Sequence, residues 1–106
     1  MASKEKLYER PLKRVLDDQL KAEILQLFES RRSMLPSGVD MSWHQKEPVL
    51  ALRGPMGVAF YVHFLEVQAM MVVYAELGFA ARMMVTDTHR AQARQMIHEV
   101  AEELAL

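Results

Sequence analysis

The chain has 106 residues, a formal net charge of −1 and no cysteine. That length gives one domain, with room to bury roughly 60–68% of its unfolded surface in a single core, and the near-neutral balance gives no global attraction for nucleic acid or anionic lipid. The absence of thiols excludes disulfides, thiolate metal sites and cysteine catalysis and fits a reducing compartment, while 51% hydrophobic and 25% charged residues exclude wholesale disorder.

The N-terminal stretch MASKEKLYERPLKR carries charge but leads into no apolar run of the length a signal peptide needs. Gly54 to Val85, the most apolar region, is interrupted by His63, Glu66, Gln68, Glu76 and Arg82, well short of the roughly 18 apolar residues of a spanning helix. A cytoplasmic protein without a transmembrane segment is the expectation.

Residues 1–10 are polar apart from Leu7 and Tyr8, and Arg10 precedes a proline that biases it toward extended backbone. They predict a polar tail or a short edge strand, with a single domain over residues 11–106. Pro11 suits the first turn of a helix. Leu12, Leu16, Leu20, Ile24, Leu27 and Phe28 then follow at spacings of three and four, which lines them along one face. This helix is expected to end near Met34, before Pro36 and Gly38.

From Val39 to Leu77 the period changes to two. Val39, Met41 and Trp43 alternate with Asp40, Ser42 and His44. Gln45 to Pro48 make a turn, and Val49 to Arg53 a second strand with Leu50 and Leu52 inward. Gly54-Pro55-Met56-Gly57 is a hairpin turn. Val58, Phe60, Val62 and Phe64 oppose Ala59, Tyr61 and His63 in the third strand. In the fourth, around Gln68 to Leu77, Ala69, Met71, Val73, Ala75 and Leu77 oppose Gln68, Met70, Val72, Tyr74 and Glu76. Phe79 to Val85 fits either a strand extension or a loop under a helix. Thr86 or Asp87 caps the last helix, whose apolar stripe is Ala93, Met96, Ile97, Val100, Ala101 and Leu104. Acidic residues at its C-terminal end oppose the helix dipole and predict fraying.

The pattern therefore predicts an α+β fold: helix, four-stranded antiparallel meander, helix, with the helices on one face of the sheet. Its last two strands are apolar on both sides. Tyr61, His63, Met70, Val72 and Tyr74 then lie on the helix-free face as a candidate interface, either for a second copy in a homodimer or for an apolar lipid, polymer or protein.

Signals for chemistry are sparse. His89 and His98 are nine apart on one helix, not the i, i+4 spacing of a zinc pair, and His44 and His63 lie on strands, so no metal site is expected. Tyr61, His63, Glu66 and Glu76 define an acid–base group only if all four meet at one end of the sheet. No Walker loop, nucleophile elbow or dinucleotide glycine fingerprint occurs, and no cofactor is expected. Most basic residues have carboxylates nearby. Met83 and Met84 are the methionines best placed to soften a binding surface.

Met41-Ser42-Trp43, the glycine before Val58-Ala59-Phe60, and Glu76-Leu77-Gly78-Phe79 ahead of the last helix occur in an order that resembles the small bacterial family of polyhydroxyalkanoic acid system proteins, over about Leu12 to Leu104. The resemblance implies a helix, a meander with a tryptophan in its first strand, and a terminal amphipathic helix. It also implies a leading strand with a histidine, for which Lys6 to Pro11 offers weak strand character and no histidine. The implied role is a small accessory protein of polyester storage granules, and it assigns no catalytic residue. The first functional expectation is thus a non-enzymatic binding or accessory protein working through the open sheet face. The alternative is a small-ligand binder with the ligand between sheet and helices beside Trp43 and Phe60; a hydrolase or isomerase using His63 with Glu66 or Glu76 ranks last.

Overall fold

Five strands form one antiparallel sheet: Ser3–Pro11 (β1), Asp40–Trp43 (β2), Val49–Arg53 (β3), Val58–Leu65 (β4) and Met70–Leu77 (β5), in the order β1-β5-β4-β3-β2. They are seen in a computed structural model that describes residues 3–34, 38–54 and 57–106. The expected meander is β2 to β5, and Asp40–Trp43 keeps the alternation read from its sequence. Pro36 and the Pro55-Met56 pair of the predicted turns lie outside the described residues. No helix is long and apolar enough to cross a membrane among the described residues.

Of the two readings of the first ten residues, the edge strand is the one observed, and it is longer than expected. All nine residues of β1 belong to the strand, which pairs with β5 and extends the sheet beyond the meander. Its register shifts between Lys6, opposite Tyr74, and Tyr8, opposite Val73. This β-bulge leaves Leu7 as the extra residue, and Leu7 and Tyr8 both join the core on the helix side. Pro11 is consequently the last residue of a strand and not the start of a helix.

The first helix, α1, spans Asp18–Ser30, and Asp17 caps it by accepting a hydrogen bond from Leu20 N at 2.7 Å. The helix begins at Asp18 rather than near Pro11 for a simple reason. Leu12 and Leu16 sit at helical spacing, but they reach the core from the connecting loop. A single turn of tighter helix follows over Arg32–Met34. Leu20, Ile24 and Phe28 are fully buried against Leu50, Val62, Phe64, Met71 and Val73.

Gln68 and Ala69 belong to the turn between β4 and β5 rather than to the last strand; Ala69 takes a left-handed φ of 51°. Phe79–Met84 is neither strand nor loop but a short helix, α2, followed by α3 over Asp87–Glu103. Gly57 fixes where α2 begins. Its φ is +78°, and a Cβ there would stand 3.2 Å from Gly78 Cα, while Gly78 N donates to Gly57 O at 3.0 Å.

Met96, Ile97, Val100 and Ala101 bury the predicted stripe of α3. Side chains of other elements reach its acidic end. Arg31 pairs with Glu99 and Glu103 at 3.2 and 2.7 Å, Arg10 with Glu102 at 3.2 Å, and Arg14 donates to Leu104 O at 2.8 Å. These arginines offset the unfavourable dipole interaction. Ala105 then turns left-handed (φ 53°), Leu106 N donates to Ala101 O at 3.0 Å, and the Leu106 side chain is wholly buried.

Candidate functional site

Across the helix side of the sheet, side chains fall into rows set by the strand register. Trp43, Leu50, Val62, Val73 and Tyr8 form one row, and it lies among large core side chains. The next row runs Met41, Leu52, Phe60, Ala75, Glu5. Here the sheet contributes an alanine at its centre, and Ala81 of α2 and Ala93 of α3 also face the space. Small side chains on three elements leave the layers unfilled, and a hollow of about 430 Å³ remains between the sheet and α2–α3. That volume falls in the range of small-molecule sites, roughly 300–1,000 Å³.

The hollow is apolar except at one side. Val39, Leu52, Val58, Phe60 and Leu77 line the sheet wall, and Met96, Met84 and Val85 the helix wall. Met84 is 59% exposed and Met83 77%, so α2 presents flexible thioether side chains at the rim. Glu5, His89, Arg90 and Gln92 make the polar side. Arg90 Nε donates to Glu5 Oε1 at 2.7 Å and Nη1 to Asp87 Oδ1 at 3.4 Å. The bond to Glu5 holds the guanidinium even more firmly protonated than usual, against a smaller opposing effect of burial. His89 belongs to the cap of α3. Its N–H donates to Thr86 Oγ1 at 3.3 Å, and its Nδ1 accepts from Thr86 N at 3.2 Å. Arg94 Nε donates to Leu7 O at 2.8 Å, which ties α3 to β1 beside the site.

Of the two aromatic residues expected to flank a ligand, Phe60 lines the hollow and Trp43 does not. Trp43 packs instead on Phe64, ring centroids 5.6 Å apart, and its Nε1 donates to Lys21 O at 3.2 Å. The two residues occupy rows at different heights along the sheet, which the shared inward face of their strands does not reveal.

The five residues of the candidate interface lie on the opposite face. There Tyr61 is opposite Tyr74, His63 opposite Val72, and Met70 opposite Leu65 and Pro11. Val72, expected to be exposed, is only 5% accessible within the single chain, where it sits between His63 and Glu9 in register. The other four are half-buried. Lys4 Nζ lies 4.9 Å from the Tyr74 ring centroid and 6.0 Å from that of Tyr61, and Arg53 also approaches Tyr61 at 6.0 Å. The expected apolar patch is therefore an aromatic surface overlaid by cations.

The acid–base group does not assemble. Glu66 lies in the turn after β4, and Glu76 faces Ala59 near the far end of β5. His63 meets the Tyr74 ring edge-on at 5.3 Å, and its Nε2 is buried with no hydrogen-bond partner among the described residues. The other histidines have local duties. His44 Nδ1 accepts from Lys46 N and Glu47 N, which closes the β2–β3 turn, and His98 Nδ1 lies 2.9 Å from Tyr8 Oη. No three metal-ligating side chains converge among the described residues.

Burial holds His63 below the ordinary imidazole value of 6.5; the positive charge of Lys4 pushes the same way, and Glu47 opposes. The unfolded chain therefore takes up this proton first as pH falls below 6.5, and stability drops until pH passes the folded value. Above 6.5 the group contributes nothing. We expect urea titrations between about pH 7 and about pH 5 to show a larger loss of stability for the parent protein than for His63→Gln. Equal losses would show that His63 is not desolvated in this way.

The polar residues of the hollow were not picked out in the sequence, because Glu5 looks like tail and His89, Arg90 and Gln92 look like the solvated start of a helix. Only Phe60, Met84 and the alternation around Ala75 carried a signal. Compared with family models, curated proteins and solved structures, the chain matches none of them.

Proposed function

We propose that the protein is a non-enzymatic binding protein that receives a small, largely apolar ligand between the sheet and α2–α3. The observation that carries this reading is the 430 Å³ hollow itself. An apolar cleft of this size leaves its lining in contact with water, which a bound apolar ligand displaces. Burying its chain there contributes about 0.8 kcal/mol for each methylene removed from water. The few polar groups gathered on one side are the usual means of orienting such a ligand.

Recognition through the helix-free face, whether by a second copy or by an apolar polymer as the family resemblance implies, has less support. Lys4 and Arg53 lie over its tyrosines, and Val72 is already covered.

Methionine methyl groups separate the two readings. Met84 and Met96 line the hollow, whereas Met70 is on the other face. In spectra of isotope-labelled methionine methyls, decanol is expected to shift Met84 and Met96 and to leave Met70 in place. A Met70 signal that moves with protein concentration, together with a mass near twice 12.2 kDa, would favour self-association. Unmoved Met84 and Met96 signals would count against the cleft.

A further inference from the structure

Resting on the cleft as the binding site, we infer that its ligand is an uncharged amphiphile, with a carbonyl as its one strong acceptor placed against Arg90, His89 and Gln92 and an aliphatic chain running toward Phe60. Size sets the first limit. At about 430 Å³ the space lies toward the lower end of the range of small-molecule sites, roughly 300–1,000 Å³, so the ligand is small.

Charge sets the second. Among the described residues the only cation lining the hollow is Arg90, and Glu5 already neutralises it at 2.7 Å, with Asp87 adding a second carboxylate at 3.4 Å. An incoming carboxylate finds no net positive charge there. It must leave water, displace Glu5 or lie beside it, and a poorly compensated buried charge is costly. An ammonium head meets the like charge of the guanidinium, and Asp87, which does not line the hollow, is fully exposed to solvent.

The hydrogen-bond inventory sets the third. Nδ1 of His89 accepts from Thr86 N, so the proton of the neutral ring sits on Nε2 and is a donor. Arg90 has five N–H groups and commits one each to Glu5 and Asp87. The Gln92 amide adds more donors. A mouth rich in donors yet already neutralised suits an uncharged acceptor: the carbonyl of a ketone, an ester or an amide. Such a group fills the donors without adding a charge.

The test is a pair of probes matched in size, methyl nonyl ketone and decanoate, titrated near neutral pH against the full chain with the Met84 and Met96 methyls as the readout. The ketone is expected to bind at least about tenfold more tightly, a ratio equivalent to one hydrogen bond in a desolvated site. Glu5→Gln keeps the shape of the strand and releases the guanidinium, which can then hold a carboxylate in two-point contact. In that variant the preference is expected to shrink by at least about tenfold or to reverse. Decanoate binding as tightly as the ketone to the parent protein, or a ratio unchanged by Glu5→Gln, would overturn the assignment of the head group and leave the cleft standing. If neither probe moves Met84 or Met96, the cleft itself is not the binding site, and this inference falls with it.

Discussion

Ala75→Phe is expected to abolish uptake of decanol while leaving a folded protein. Ala75 lies at the centre of the sheet, between Phe60 on β4 and Glu5 on β1, with its side chain on the wall of the hollow. A phenyl ring there enters empty space rather than a packed neighbour, so the usual overpacking cost of about 1–3 kcal/mol falls to its lower end. If the ring displaces only four methylenes of the ligand, at about 0.8 kcal/mol each, affinity falls about a hundredfold or more. Calorimetric titration with decanol measures the loss, and thermal denaturation checks the fold. Retained affinity in a stable Ala75→Phe protein would mean that the ligand sits elsewhere.

Phe28→Ala tests the other half of the layer. Phe28 is the last large residue of the buried face of α1 and is wholly enclosed among Ile24, Phe64 and their neighbours. Truncating such a residue removes its transfer free energy and leaves a cavity, a loss of about 3–5 kcal/mol. A domain of this size has roughly 5–15 kcal/mol in total, so the urea midpoint should fall by more than about 1 M for a typical slope. Val67→Ala is the control. Val67 is fully exposed in the β4–β5 turn, and its loss should stay within about 0.5 kcal/mol. Similar effects for the two substitutions would mean that α1 is not seated on the sheet through this face.

The meander and the last helix were legible because each carries its own period. Alternation from Met41 to Trp43 and from Val58 to Phe64 survives folding, and the stripe of Met96, Ile97, Val100 and Ala101 is the buried face of α3. The first strand was legible only as one of two alternatives, a polar tail or a short edge strand, for two physical reasons. Edge strands are commonly charged on purpose, and the bulge at Leu7 sends two consecutive residues to the same side, which destroys the alternation. The start of α1 was misplaced because an apolar loop can mimic helical spacing; the informative residue was Asp17, whose capping role outranks the leucines before it.

The hollow is illegible for a different reason. It consists of volume that Ala75, Ala81 and Ala93 fail to fill, and an alanine satisfies either periodicity without showing how much space surrounds it. Its polar side is assembled from Glu5 and Arg90, eighty-five positions apart. Local patterns carry no record of that meeting.

Pairing the first strand with the last also has a kinetic consequence. Lys4 lies opposite Glu76, so joining β1 to β5 closes a loop of most of the chain, an entropically expensive step that slows folding. The hairpins from β2 to β5 rest on nearer contacts, and without β1 the strand Met70–Leu77 would be the open margin of the sheet. Its sequence, MMVVYAEL, has the β-propensity and low charge of a segment prone to pair with other chains. In the finished fold the exposed margins are a bulged strand bearing Lys4, Lys6, Glu9 and Arg10 and, at the other side, a strand of only four residues. The N-terminal strand therefore replaces an adhesive margin with a charged one.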